Sequence, residues 1–132
     1  MKKRFFRSEK GQALVEFALT LPILVMILCG IIDFGWLYYN QITLNNAARE
    51  GARYAVIHYE TTSRDWQEDA VDRMKDCMVA VRAADAWVND PVGQTITATV
   101  TAKPRILTAV TSTILGKQEL TIDASCTMRL ED

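Results

Sequence analysis

The stretch GQALVEFALTLPILVMILCGIIDFGWLYYNQITLNNAAREGARYAV, residues 11–56, decides how the whole chain is read. From Phe17 to Ile32 it carries no charge. The window Gln12–Ile32, with Glu16 its one charged residue, would form a helix of roughly 31 Å, about one bilayer core. Five basic residues, Lys2, Lys3, Arg4, Arg7 and Lys10, precede it against the single acid Glu9, and Asp33 closes its far end. By the positive-inside rule the N-terminus is expected in the cytoplasm and Asp33 onward outside it. A cleaved secretory signal shares the basic and apolar parts but ends in a small-x-small site, whereas this chain continues with the bulky DFGWLYYNQ. A buried helix of a soluble domain would need a larger core than the rest of the chain supplies. The expectation is a single-pass protein of the cytoplasmic (inner) membrane with an exported head.

Beyond Asp33 the helical pattern persists. Phe34, Leu37, Tyr38, Gln41, Ile42, Leu44, Ala48, Ala52 and Ala55 recur at spacings of three and four, and no proline intervenes between Ile23 and Asp90. Gly30, Gly35 and Gly51 weaken a helix without ending it. A continuous helix over 12–57 is predicted, 12–32 in lipid and the rest outside, with 58–132 as the head. Ala47, Ala48, Gly51, Ala52 and Ala55 form a stripe of small residues. Either another helix approaches there or the protein's own head packs on it.

Across the whole chain, 132 residues are 49% hydrophobic and 23% charged, with a net charge of −1. The basic tip hides a net of −5 in the remainder, so the chain is a poor nucleic-acid binder. It is too apolar to be disordered, too poor in cysteine for a disulfide scaffold, and shows no internal repeat. His58 is the only histidine, which removes His-pair zinc sites and leaves a catalytic triad without support; it reads as an exposed linker residue. There is no glycine-rich phosphate loop, no C-x-x-C and no calcium loop. No enzyme, cofactor, metal site, catalytic residue or small-molecule substrate is expected. Trp36 suits an interfacial anchor, and Trp66 and Trp87 suit packing in the head.

The head reads as α+β. Thr62 or Ser63 could cap a helix running from Asp65 to about Ala86, with Trp66, Ala70, Met74, Cys77, Met78 and Val81 on its apolar face. Asp90-Pro91-Val92-Gly93 reads as a turn. TITATVTAK alternates as a strand, Pro104 can open a short helix that stops near Gly116, and ELTIDASCTMRL alternates as a second strand. One helix laid across an antiparallel pair would make a small pilin-like head. Cys77 and Cys126 both fall on faces expected to meet in the core. They are either two buried thiols or a bridge closing a loop of about 50 residues, worth roughly 4 kcal/mol.

Glu16 is costly inside lipid unless paired. It lies five residues after Gly11, and the basic leader, the glycine and Gln-Ala-Leu-Val-Glu-Phe together resemble the class III signal peptides of type IV pilins. The resemblance implies cleavage after Gly11 by a prepilin peptidase, with 1–11 a leader and Gln12 the new terminus. It also implies an assembly role for Glu16 and Phe17, Glu16 pairing with the terminal amine of an adjacent subunit. The alternative is Glu16 reaching back to the interface beside Lys10. Gly11, Glu16, Phe17, Pro22, Asp33, Phe34, Gly35 and the block Asn46–Arg53 are similar to the N-terminal signature of the TadE family of minor pilin-like proteins, with TadF-like proteins sharing it. Trp36 stands where that family more often has a basic residue.

Two functions follow. The resemblance implies a minor pilin or pseudopilin of a Tad/Flp tight-adherence type IV pilus. Its partners would be the membrane, a prepilin peptidase, other pilins or pseudopilins and the Tad secretion machinery. The other reading is a membrane-anchored extracytoplasmic binding module with no filament role, for which neither Gly11 nor Glu16 would be needed.

Overall fold

The architecture comes from a computed structural model that describes residues 9–59, 65–78, 81, 83–89 and 91–130. The basic residues of the leader up to position 8, and the two candidate caps Thr62 and Ser63, lie outside the described residues.

A single helix, α1 (Glu9–His58), is 50 residues long, about 75 Å. It carries Pro22 in its interior without breaking. The large apolar side chains of its first half are exposed, and the rest of the chain gathers on α1 from Asp33 onward. There Leu44, Ala47, Ala48, Ala52 and Ala55, spaced by three and four, are completely buried. The head is α+β as the sequence predicts. α2 (Trp66–Asp76) and the strands β1 (Ala83–Val88), β2 (Thr95–Ala102) and β3 (Ile122–Arg129) form it, with α3 (Ala109–Leu115) between the last two strands. The sheet is antiparallel in the order β1-β2-β3. α1 lies over β2 and β3, and α2 over β1.

Period-two alternation decides which side of the sheet is inside. Ile96, Ala98, Val100 and Ala102 of β2 point to the helices and are fully buried, while the threonines between them face outward. The β2–β3 register sets Ile96 opposite Met128, Ala98 opposite Cys126, Val100 opposite Ala124 and Ala102 opposite Ile122, so both strands present one apolar face. On the outer face the hydroxyls of Thr97 and Thr127 lie 2.8 Å apart. The core is made largely of alanine, with Leu44, Met74, Ile96 and Val100 the largest apolar side chains that are completely buried. Small side chains let α1 lie close on the sheet.

Several expectations are corrected. The helix from Asp65 stops at Asp76, and residues 83–88, with 83–86 expected inside it, are the edge strand β1. The sheet therefore has three strands rather than two, and α1 covers it together with α2. Asp65 holds the N-cap position of α2 without a side-chain cap bond. Pro104 does not open a helix; its carbonyl accepts from the Leu120 N–H at 3.2 Å, and α3 starts five residues later behind Thr108. The tight turn sits at Gly93-Gln94, two residues beyond the expected place, closed by the Val92 N–H to the Thr95 carbonyl at 3.1 Å. Trp87 stands on the outer face, 43% exposed, whereas Trp66 packs on the core and meets Tyr59 edge-to-face at 5.7 Å.

Cys77 and Cys126 are free thiols, so the alternative of a bridge is not realised. The reason is the early end of α2. Cys77 becomes the C-cap residue and faces outward, while Cys126 packs against the core from β3. His58 is half-buried rather than an exposed linker: its ring stacks on Tyr54 with centroids 3.9 Å apart, and Nδ1 lies 2.9 Å from the Tyr54 carbonyl oxygen.

Candidate functional site

The apolar run stands bare. Leu14, Val15, Phe17, Leu19 and the large apolar residues on to Ile32 are all substantially exposed, and none of the most apolar window is buried. An apolar side chain moved out of water gains about 1.5–3 kcal/mol. A dozen of them cannot be left in water, so this arm demands lipid or other apolar helices around it. One N-terminal helix of this kind fits a single-pass membrane anchor. Gly11 and Gln12 lie on its first turns, exposed, and a Cβ built on Gly11 meets nothing within 4 Å. Glu16 and Phe17 are exposed one turn further on, and Glu16 has no hydrogen-bond or ion-pair partner among the described residues.

Where the arm meets the head, the sequence marks Asp33 as the charge that closes the apolar run and as one residue of the family-like signature. The structure makes Asp33 a latch. Its carboxylate is buried, 3% exposed. Oδ1 accepts from the backbone N–H groups of Leu107 and Thr108, each at 3.0 Å, and Oδ2 accepts from the Thr108 hydroxyl. The Thr108 side chain also accepts from the Thr111 N–H and caps α3. Burial pushes the Asp33 carboxyl up, but the hydrogen bonds from Thr108, Thr111 and the two backbone amides outweigh it and hold the carboxyl below the ordinary aspartate value. No signal in sequence could pair a residue with partners 74 and 75 positions away.

Above the latch, Phe34 stacks with Tyr38 at 6.4 Å and Trp36 with Tyr39 at 6.0 Å, forming an aromatic collar where α1 leaves the apolar run. The Trp36 indole and the buried Asn40 line a cleft with Lys103, Pro104, Arg105 and Leu107. Asn40 Nδ2 donates to the Trp36 carbonyl at 2.6 Å.

The small-residue stripe serves the head. Ala48, Ala52 and Ala55 are fully buried against the protein's own core, so this face is not open to another helix. At Gly51 α2 packs tightly on α1: a Cβ there would lie 2.4 Å from Met74 Cγ and 2.5 Å from Met74 Sδ. The charged residues of the same turn point away, and Glu50 pairs with Arg53 at 2.9 Å on the surface. Among the described residues no group of His, Cys, Asp and Glu could hold a metal ion.

An apolar arm projecting from a small α+β head, with a buried carboxylate at the junction, defines an anchored-head class of chain. Residues 11–53 match the model of the TadE-like protein family, in agreement with the resemblance read from Gly11 to Arg53. The matched segment covers the bare arm, Asp33, the collar and the seat for α2, and it ends before the strands of the head begin. No curated protein and no solved structure matches the chain.

Proposed function

We propose that the chain is a minor pilin-like subunit, a pseudopilin that takes part in assembling a Tad/Flp-type type IV pilus from the inner membrane. The bare arm carrying Glu16 is the observation that supports this most. A plain anchor needs only apolar residues, and a carboxylate within it costs free energy unless a partner neutralises it. The match of residues 11–53 to the TadE-like family model supports a link to the Tad system. In this reading a prepilin peptidase cuts after Gly11 on the cytoplasmic side, where glycine lets the backbone enter the protease extended. The new α-amine on Gln12 and the Glu16 carboxylate of a neighbouring subunit then form an ion pair in lipid. Arms pack in the register that makes the pair, so the protein works by packing rather than by catalysis. Its partners are the peptidase, other pilins or pseudopilins and the Tad secretion machinery, with the head extracytoplasmic.

The N-terminal mass of protein extracted from its native membrane tests the processing. Residues 1–11 are expected to be missing; an intact terminus, in cells that process their other pilins, overturns the reading. Replacing Gly11 with a bulky residue should block the cut, whereas Gly11→Ala should only slow it. Glu16→Ala should insert at least as well as the parent, because a charge leaves the apolar segment. In a deletion strain it should fail to restore pili.

A further inference from the structure

α3 sits at the tip of the β2–β3 hairpin, and the hairpin points down α1 toward the apolar arm. Where the two strands end, Gln41 Nε2 donates to the Asp123 carbonyl at 3.0 Å beside the Ala102–Ile122 pair. The ladder continues beyond the strands through Leu120 N–H to the Pro104 carbonyl at 3.2 Å and Ile106 N–H to the Gln118 carbonyl at 3.0 Å. Its tip is fixed by Asp33, about 12 Å further toward the arm than Gln41. Asp33 is the first charge after the lipid-length run, so the tip of the hairpin is level with the boundary of that run.

The residues at this tip are those that suit such a place. α3, AVTSTIL, has no charged residue. Leu107, Ile114 and Leu115 are 57%, 65% and 53% exposed, and Val110 is 36% exposed. Apolar groups clustered on a protein surface mark an interaction site. Lys103, Arg105 and Lys117 flank the tip, exposed, where long cationic side chains can reach lipid phosphates. The aromatic collar at Phe34–Tyr39 lies at the same depth.

From this placement we infer that α3 is a second membrane contact, an interfacial segment whose apolar side chains enter the outer surface of the bilayer that the arm crosses. The contact rests on the reading of residues 12–32 as the membrane segment. The head is then held to the membrane at two points, and the Asp33 latch sets the depth of the second.

Photocrosslinking on the full chain tests it, in vesicles of phosphatidylethanolamine and phosphatidylglycerol. p-Benzoylphenylalanine is placed singly at Ile114, at Leu24 in the arm, and at Val92, which is 78% exposed at the opposite end of β2. All three positions are exposed, so the fold tolerates the probe. Lipid adducts at Ile114 should approach the yield at Leu24 and exceed that at Val92 about tenfold, the partition expected for one apolar side chain. A yield at Ile114 no higher than at Val92, with Leu24 labelling lipid, overturns the contact and leaves the anchor standing. An Ile114 adduct to a second copy or to another protein also overturns it. Failure of Leu24 itself to label lipid removes the anchor reading, and the α3 contact with it.

Discussion

Asp33 is the residue on which arm and head depend together. With its carboxyl held below the ordinary value of 3.8, the native protein binds fewer protons than the unfolded one between the two values. The stability it contributes is therefore fully present above 3.8 and is lost as the pH falls through the lowered native value. Amide exchange at Leu107 and Thr108, followed from neutral pH downward, should show protection falling in that window. Asp33→Asn keeps an oxygen acceptor but no charge and should lose that pH slope. Asp33→Ala should lose protection at both amides at every pH. An unchanged pH slope in Asp33→Asn would remove the latch from the account. Glu16 was legible as a misplaced charge from its neighbours alone. Asp33 was legible as the end of a run and as part of the family-like signature but not as a latch, because its donors come from a loop folded back across most of the chain.

Among elements, those decided by local pattern were readable. The length of α1, the alternation of β2 and β3 and the end of α3 at Gly116, which adopts φ +64°, are all written in short windows. β1 was not. Its sequence, AADAWV, is half alanine, the best helix former, and follows an amphipathic helix without a break. Pairing with β2 overrides that propensity, and strand preference itself is mostly a matter of such neighbours. Met78 and Val81 are buried as the helical periodicity suggested, yet they lie past the end of α2. The α1–α2 contact offers the sharpest test of the packing. Gly51→Leu would drive a side chain into the space of Met74, and overpacking of this kind costs about 1–3 kcal/mol. Urea unfolding of the full chain in detergent micelles should show a loss toward the upper end of that range. A loss near zero would mean that α2 does not sit where the structure places it.

At the scale of the molecule, the thiols carry no covalent tie. With Cys29, Cys77 and Cys126 all free, the head is held by alanine-close packing and by the latch. Reductant should therefore leave its melting temperature unchanged, measured on freshly purified full chain. A fall on reduction would show that a bridge forms. The alternative of a plain tethered module differs in what the arm must do. A tether needs only length, whereas an assembling subunit needs its arm to keep one geometry relative to the head.

The continuous course of α1 through Pro22 supplies such a geometry, because one helix running from arm to head transmits angle as well as distance. Each residue turns the arm by about 100° and advances it by about 1.5 Å. A single residue inserted after Leu28 would therefore swing Glu16 to another side of the axis while leaving the head, the collar and the hydrophobic length nearly intact. Seven inserted residues would bring Glu16 back to within about 20° of its azimuth. Piliation should fail with one added residue and recover in part with seven, a phase dependence that a simple tether would not show.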